Sequence, residues 1–200
     1  MTLDKFRPVA ARAIDPSVTY ADRLGMTPDH VSLLAFISAS LAGVAFVFGS
    51  SSWYLVGAIL VFANGWFDLI DGALARKQAV ASARGDLLDH VLDRYADIVI
   101  IVGLAAGIDA YGLGLLAITG VLMTSYLGTQ AIAVGFDRVY GGLVGRADRL
   151  AIVGVVAVAM AVYSDPIGPF NLVGWLLVFL GIVGHLTALQ RFWFAFRGLS

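Results

Sequence analysis

The sequence contains no cysteine and no glutamate, and only 14% of its 200 residues are charged. The absence of cysteine excludes disulfide bonds and metal sites built from thiolates. All 14 acidic residues are therefore aspartates, and arginine supplies most of the 13 basic residues. We attach no functional meaning to this bias in itself. The low charge, in contrast, bears directly on the class of protein.

The sequence is rich in apolar residues: 60% of the residues are hydrophobic and the mean hydropathy is +0.87. Soluble domains average roughly 45–50% apolar and about 25% charged residues, so both values indicate a membrane protein. A hydrocarbon core about 30 Å thick requires roughly 20 apolar residues in a helix. Six stretches qualify within a few residues: 29–48, 53–76, 86–107, 113–134, 150–163 and 170–196. The fifth is short and the sixth long, so we expect tilt or an overhang. We therefore predict an all-α integral membrane protein with six transmembrane helices.

The residues before the first of these stretches, 1–24, mix apolar and basic positions. This pattern is typical of a short amphipathic helix on an anionic membrane surface. Pro8 leaves a broken helix open, because a proline in a helix interior costs about 3 kcal/mol. Thr27 is the predicted N-cap of the first membrane helix, with Pro28 at its first position. We interpret residues 1–200 as one membrane domain in which 1–24 form a juxtamembrane surface segment.

The basic residues are distributed unequally between the two ends of the predicted helices. The connections 49–52, 108–112 and 164–169 contain no lysine or arginine. The opposite ends collect Lys5, Arg7, Arg12, Arg23, Arg76, Lys77, Arg84, Arg138, Arg146, Arg149 and Arg197. Because positive charge concentrates on the cytoplasmic side, we expect a multi-pass protein of the cell membrane with both termini in the cytoplasm.

Aspartates with helical spacing lie at the cytoplasmic ends of the second and third predicted helices. Asp68 and Asp71 are three residues apart, and Asp89, Asp93 and Asp97 follow one another at intervals of four. Helical residues at these spacings share one face. The short connection makes the two helices antiparallel neighbours. We therefore expect the carboxylates to lie at one depth, at the cytoplasmic side of the membrane.

Two interpretations of these aspartates are open. In one they form a structural polar cluster, neutralised by the nearby Arg76, Arg84 and Arg94. In the other they bind a hard divalent cation, which prefers carboxylate oxygens. Asp68 and Asp71 lie at a helix C-terminus, where the macrodipole disfavours negative charge. Because the acids also outnumber the arginines, we favour the metal site.

The same segment reads Asp68-x-x-Asp71-Gly72-x-x-Ala75-Arg76, then eight residues, then Gly85-x-x-x-Asp89-x-x-x-Asp93. It resembles the complete signature of the CDP-alcohol phosphotransferase family, also called CDP-alcohol phosphatidyltransferases. Residues 25–29 resemble the family's G-x-T-P-N entry to its first helix, with Asp29 in place of the more usual asparagine. The resemblance covers most of the chain. It implies six membrane helices, a surface helix at the N-terminus and a homodimer.

The resemblance also implies the reaction. An acceptor hydroxyl attacks the lipid-linked phosphorus of a CDP-diacylglycerol or CDP-archaeol donor, and CMP leaves. Two divalent ions, Mg²⁺ or Mn²⁺, clamp the diphosphate and stabilise the leaving oxygen. By similarity Asp68, Asp71 and Asp89 hold the metal ions, while Asp93 is the general base and a further metal ligand. Asp97 lies outside the signature, and we interpret it as structural.

Donor binding is likewise assigned by the resemblance. Asp68 contributes to the donor site, and small residues leave room there for the cytidine and the diphosphate: Gly72, Ala75 and Gly85. Arg76 places the donor or braces the turn. The expected partners are a CDP-linked lipid donor, a small hydroxyl acceptor, membrane lipids and a second copy of the chain. No nucleic acid is expected.

Two further segments bear on the acceptor. Residues 145–150, GRADRL, and 187–191, TALQR, resemble phosphatidylinositol-phosphate synthases and their archaeal archaetidylinositol-phosphate relatives. This similarity implies that Arg146 and Arg149 bind an acceptor phosphate, for which arginine presents a fork of donors. The same two arginines fit equally well as positive charge flanking a membrane helix.

One departure weakens the inositol assignment. After Ser125 and Tyr126 that group usually carries a lysine and an arginine, where this chain has Gly128 and Gln130. We expect a polyol phosphate acceptor, either inositol phosphate or glycerol phosphate. The loss of two cations leaves open an uncharged acceptor, such as free inositol or serine.

Two other classes compete with an enzyme. A cation transporter would use the aspartates as an ion path, but such sites usually lie near the bilayer midplane on broken helices. A non-catalytic scaffold would retain the signature without its chemistry, which the intact set of four acids disfavours. We therefore predict an enzyme of phospholipid biosynthesis.

Overall fold

The computed structural model describes residues 7–80, 82–136 and 144–199. In these ranges the chain is helical, as predicted. The helices are α1 (Arg7–Arg23), α2 (Pro28–Val47), α3 (Ser51–Gln78), α4 (Ala83–Gly107), α5 (Tyr111–Ala133), α6 (Arg146–Val162) and α7 (Leu172–Gly198). Each predicted membrane stretch coincides with one helix from α2 to α7, and their ends differ by a few residues.

Local capping explains where the helices that carry the aspartates begin and end. Thr27 caps α2 as predicted, and its hydroxyl accepts a hydrogen bond from the His30 backbone N–H over 3.4 Å. α3 ends where Ala79 adopts the left-handed conformation with φ of 53°, a common way to stop a helix. Ser82 then caps α4 by accepting a hydrogen bond from the Gly85 N–H over 3.2 Å. The chain thus reverses between α3 and α4 within a few residues.

Among the described residues, four helices are long and apolar enough to cross a membrane: α2, α3, α5 and α7. α4 has sufficient length, but its first half carries the aspartates. α6 has only 17 residues, fewer than the roughly 20 that a perpendicular span requires. The protein is therefore a helical membrane protein, and the structure supports four of the six predicted spans on length and composition.

The helices pack around one main core. α2 lies against α3 and α4, α5 lies against α7, and α6 connects the two groups by packing on α3 and α7. The largest buried side chains of this core include Phe46, Tyr54, Leu104 and Leu177. The outer surface is also apolar, as a protein in contact with lipid requires. Phe62, for example, is 68% exposed.

Glycines allow two helix pairs to approach until their backbones touch. A Cβ added at Gly103 of α4 would lie 2.1 Å from the carbonyl oxygen of Gly43 in α2. At the α5–α7 crossing, a Cβ at Gly184 would lie 2.6 Å from the carbonyl carbon of Gly120. Small residues at such crossings let van der Waals contacts form between helix backbones.

The N-terminal helix α1 packs on α3 along one face. Ile14, Val18 and Ala21 are buried and form a second small core with residues of α2 and α3. Lys77 at the end of α3 forms an ion pair of 3.2 Å with Asp22 of α1. A hydrogen bond from Gln78 and the nearby Lys77 lower the pKa of the Asp22 carboxyl, so it is ionised at neutral pH.

Of the two possibilities that the sequence left open for α1, the structure shows the continuous helix. The helix begins before Pro8 and continues through Pro16 to Arg23, so no break occurs at Pro8. A proline is tolerated in the first turn, where its missing N–H leaves no hydrogen bond unmade. Residues 1–6, which include the basic Lys5, lie outside the described residues, as does Arg138.

The glycine contact between α2 and α4 yields a test of the packing. We expect Gly103→Ala to destabilise the protein by roughly 1–3 kcal/mol, because the added methyl group forces the two helices apart. Thermal unfolding in detergent measures this effect.

Gly154→Ala in α6 is the matched control, since a Cβ there meets no atom within 4 Å. Alanine favours a helix over glycine by about 1 kcal/mol, so this control should leave stability unchanged or raised. Equal unfolding temperatures for both variants would contradict the close crossing.

Candidate active site

The reversal between α3 and α4 brings three carboxylates together. Asp68 and Asp71 of α3 and Asp89 of α4 each offer an oxygen, and these oxygens lie within 4.8 Å of one another. Asp71 is buried, while Asp68 and Asp89 are partly exposed. The predicted convergence of acids from these two helices is confirmed for these three residues.

α2 contributes a residue to this cluster that the sequence analysis missed. The Ser32 hydroxyl donates a hydrogen bond of 2.8 Å to the Asp71 carboxylate. Ser32 lies one turn into α2, after the cap at Thr27, and is itself buried. A serine in an apolar helix has no distinctive spacing, so only the packing of α2 against α3 reveals it. The hydrogen bond fixes the orientation of Asp71 within the cluster.

Asp93 joins the cluster through an arginine. Arg146, the first residue of α6, forms ion pairs of 2.7 Å with Asp68 and 2.8 Å with Asp93. The side chains of Arg146 and Asp93 are only 13% and 14% exposed. Arg146 therefore bridges α3 and α4 beside the three converging carboxylates.

A second pair of charges lies one helical turn deeper. Arg149 of α6 donates a hydrogen bond of 2.7 Å to Asp97 of α4, and both residues are buried. This pairing agrees with the interpretation of Asp97 as structural. Breaking a buried pair leaves an uncompensated charge, which is strongly destabilising. Arg149 therefore has a structural partner in addition to any role in binding.

Within the part of the chain that the structure describes, the acids outnumber the arginines that contact them. The carboxylates are Asp68, Asp71, Asp89 and Asp93, and the guanidiniums in ion pairs with them are Arg146 and, 3.6 Å from Asp93, Arg94. Converging carboxylates repel one another strongly at the edge of a low-dielectric region. Divalent cations bound by aspartate oxygens would offset this repulsion. The residues present thus fit Mg²⁺ or Mn²⁺.

A polar cavity of about 370 Å³ opens beside the cluster. Gly72, Ala75 and Gly85 line it, as the donor-site prediction requires, together with Asp71 and Asp89. The other lining residues are Thr27, Pro28, Asp29, Ser32, Gln78, Val80, Ser82, Arg84 and Asp86. The predicted Arg76 is absent from this lining. A Cβ at Gly72 would lie 3.5 Å from its guanidinium, so Arg76 lies next to a residue of the lining without belonging to it.

A second, apolar cavity of about 430 Å³ lies between α1, α2 and α3. Its walls include Ala21, Leu34 and Trp66, and it reaches Val31 and Ile70. Those last two residues directly precede Ser32 and Asp71, which line the polar cavity. The hydrogen bond between Ser32 and Asp71 thus lies between a polar and an apolar space.

Arginines from α4, α6 and α7 lie near one another close to Asp93 and Asp97. Arg94 hydrogen-bonds to the Ser125 hydroxyl, and Arg191 donates to the Thr124 carbonyl over 2.7 Å. Arg94 and Arg149 lie close enough to Arg191 to repel it electrostatically. No role in the site was predicted for Arg94 or Arg191, although an arginine inside a membrane helix is itself a signal of function.

The comparison with known proteins agrees with this geometry. Residues 25–183 match the family model described as CDP-alcohol phosphatidyltransferase. The archaetidylinositol phosphate synthase of Methanothermobacter thermautotrophicus is 36% identical over 200 residues, which cover 99% of this chain and 96% of that protein. The phosphatidylinositol phosphate synthase of Mycobacteroides abscessus is 32% identical over 197 residues, covering 92% of this chain and 84% of that protein.

Solved structures give the same result. The crystal structure of the Mycobacterium tuberculosis phosphatidylinositol phosphate synthase with CDP-DAG bound superimposes with a TM-score of 0.79 and 27% identity, covering 92% of this chain and 94% of that one. The same enzyme in complex with manganese and citrate gives a TM-score of 0.78 and 26% identity, covering 90% and 88%. The chain is therefore a transferase and belongs to the CDP-alcohol phosphatidyltransferase family.

Proposed function

We propose that the protein transfers a phosphatidyl- or archaetidyl-type group from a CDP-lipid to a hydroxyl of inositol phosphate or a similar polyol phosphate, releasing CMP. The convergence of the Asp68, Asp71 and Asp89 oxygens within 4.8 Å carries this proposal. These oxygens would serve as ligands for divalent ions, and the polar cavity beside them suits a nucleotide. The names of the relatives support an inositol phosphate acceptor.

In the reaction, Asp68, Asp71 and Asp89 would hold two divalent ions, with Asp93 beside them. The ions, when bound, supply positive charge that neutralises the donor diphosphate and the departing CMP oxygen. The acceptor oxygen forms a bond to the lipid-side phosphorus as the bond between that phosphorus and the bridging diphosphate oxygen breaks. CMP keeps the electron pair of the broken bond, and Asp93 accepts the acceptor's proton.

The polar cavity supports the placement of the nucleotide. Gly72, Ala75 and Gly85 present backbone where larger side chains would occupy the space. A Cβ at Gly85 would already lie 3.4 Å from the Ser82 hydroxyl and 3.8 Å from the Asp29 carboxylate. We propose that the cytidine and diphosphate lie in this cavity, with the diphosphate towards the aspartates.

The apolar cavity supports the placement of a lipid chain. It ends at Val31 and Ile70, next to the two residues that hydrogen-bond at the edge of the aspartate cluster. A donor whose diphosphate lies at Asp71 would have its glycerol within reach of this cavity. We propose that one hydrocarbon chain of the donor occupies it.

The arginines support the placement of an anionic acceptor. Arg94 and Arg149 lie near Arg191, and Arg149 pairs with the buried Asp97. Guanidinium groups gathered in this way could donate hydrogen bonds to an acceptor phosphate. Arg146 contacts Asp93 directly, so we propose that it orients the base and receives the acceptor. These arginines come from helices other than α5. They would supply positive charge that α5 lacks, because it carries Gly128 and Gln130 where related proteins usually carry a lysine and an arginine.

The remaining predictions concern the membrane. We propose that α2 to α7 all span it and that α1 lies on its surface. The ion pairs of Arg146, at the start of α6, with Asp68 of α3 and Asp93 of α4 support a common depth for these three residues. The connections free of basic residues support a cytoplasmic location of the active site and both termini. A single domain over 1–200 and a homodimer stay predictions.

The assignment of Asp93 as base is tested by Asp93→Asn. We expect kcat for CMP release to fall roughly 10²–10⁴-fold, because the amide cannot accept the proton. Purified protein with Mg²⁺, CDP-lipid and inositol phosphate provides the assay. Asp109→Asn is the control, since Asp109 lies at the opposite end of α4, and it should retain full activity. An unchanged kcat in Asp93→Asn would refute the base assignment.

Metal removal and acceptor choice are tested in the same assay. EDTA should abolish CMP release, and Mg²⁺ or Mn²⁺ should restore it, because the carboxylates cannot bind a diphosphate without cations.

Among inositol phosphate, glycerol phosphate, inositol and serine, we expect release with a phosphorylated acceptor. Release with inositol or serine alone would show an uncharged acceptor. No release with any acceptor, together with ion flux in liposomes, would indicate a transporter.

The lipid-chain cavity is tested by Leu34→Trp, which places a large ring at its wall. We expect KM for a long-chain CDP-lipid to rise several-fold while KM for a short-chain CDP donor changes little. Leu41→Trp is the control, because residue 41 lies two turns along the same face of α2 and is absent from the cavity lining. Equal KM values for the two variants with both donors would place the chain elsewhere.

A further inference from the structure

Gln78, the last residue of α3, links the polar cavity to the end of α1. Its side chain lines that cavity, although it occupies one of the unspecified positions of the signature. Gln78 Nε2 donates a hydrogen bond of 2.9 Å to the carboxylate of Asp22, in the last turn of α1. It donates a second bond of 3.0 Å to the Met26 carbonyl, between α1 and α2. Both hydrogens of the amide nitrogen are thus used to hold the segment that precedes α2.

The connection between α1 and α2, residues 24–27, forms a bend that we call the elbow. Gly25 adopts the left-handed conformation there, with φ of 68°. The Met26 N–H donates to the Ala21 carbonyl over 3.1 Å, a bond that commonly closes the end of a helix. This bond lies within one stretch of chain, so it shapes the elbow without attaching it to α3. The hydrogen bonds from Gln78 provide that attachment.

The two cavities of the donor site meet at the elbow. Met26 lines the apolar cavity, whereas the next residue, Thr27, lines the polar one. The carbonyl that Gln78 binds belongs to the peptide group that joins these two residues. Gln78 therefore holds the backbone at the point where the wall of one cavity continues into the wall of the other. A displaced elbow would change the shape of both cavities together.

Lys77, the neighbour of Gln78, binds the same carboxylate in a different setting. It forms an ion pair of 3.2 Å with Asp22, but its side chain is 40% exposed, and it is absent from the lining of the polar cavity. Exposed ion pairs contribute little to stability. Lys77 thus shares the contact of Gln78 with α1 and lacks its hold on the elbow backbone, which makes it a matched comparison.

We propose that Gln78 is a positioning residue for the CDP-lipid: by binding Asp22 and the Met26 carbonyl, it aligns the polar cavity for the nucleotide with the apolar cavity for the lipid chain. The inference rests on the proposed function, in which the donor extends through both cavities. A misaligned junction weakens the binding of such a donor. The acceptor, which lies beside Arg146 in the proposed reaction, does not depend on the elbow.

The first test is Gln78→Glu, which keeps the shape of the side chain and replaces its N–H donors by a carboxylate that repels Asp22. We expect KM for a long-chain CDP-lipid to rise about 10-fold, as the loss of a charge-assisted hydrogen bond implies. KM for inositol phosphate and kcat should stay unchanged. Backbone hydrogen exchange at the elbow should become faster. Lys77→Gln is the control and should leave both KM values and the exchange unchanged.

The second test reverses the direction of the hydrogen bond. In the double variant Asp22→Asn/Gln78→Glu, the new amide at position 22 can donate to the new carboxylate at position 78. We expect this variant to recover part of the loss in KM for the CDP-lipid and to slow hydrogen exchange at the elbow again. Asp22→Asn alone keeps an acceptor for Gln78 and should change KM little.

Other roles of Gln78 give different results. A direct contact with the nucleotide predicts no recovery in the double variant, because the carboxylate at position 78 would still face the donor diphosphate. A general loss of stability predicts equal rises of both KM values and a lower unfolding temperature in detergent. Either result, or an unchanged KM for the CDP-lipid in Gln78→Glu, would overturn the inference alone. A wild-type protein that releases no CMP with any acceptor would instead refute the proposed function.

Discussion

The electrostatic balance of the aspartates at one end of the helix bundle is the constraint on which the rest of the site depends. Asp68, Asp71 and Asp89 converge within 4.8 Å, and such a group repels itself strongly at the boundary of a low-dielectric region. Arg146 offsets part of that charge through its ion pairs with Asp68 and Asp93. Bound divalent cations would offset the remainder, and the same cations could then bind a diphosphate.

Close helix packing makes this convergence possible. Gly43 and Gly103 let α2 and α4 touch along their backbones, and α3 packs against the other side of α2. Ser32 consequently reaches Asp71 from α2, while the first turn of α6 supplies Arg146. The membrane helices therefore act as a rigid frame, and the polar residues lie at its end, where the cost of burying charge is lower than at the bilayer centre.

Sequence spacing predicts the part of the site that lies on consecutive helices. Asp68, Asp71 and Asp89 follow helical intervals on both sides of one short turn, and their convergence is confirmed. Ser32, Arg94 and Arg191 depend on helices that pack across the bundle, and no local pattern identifies their partners. Arg76 is a signature position for which the sequence predicts a place in the donor site, but it does not line the cavity. Hydropathy likewise predicts the six helices α2 to α7. Only four of them meet the criteria of length and composition for a membrane span, because α4 carries charge and α6 is short.

The two substrates of the proposed reaction are both anionic, and they would repel each other in an undivided site. The structure separates the charges that would bind them. Carboxylates suited to divalent ions lie on the α3 side of Asp93, and the arginines Arg94, Arg149 and Arg191 gather on the side of α5 and α7. Asp93 lies at the boundary, 2.8 Å from Arg146 and 3.6 Å from Arg94. In the proposed reaction, a base at this boundary would meet the acceptor hydroxyl and the donor phosphorus together, because each anion would be neutralised by a different set of cations.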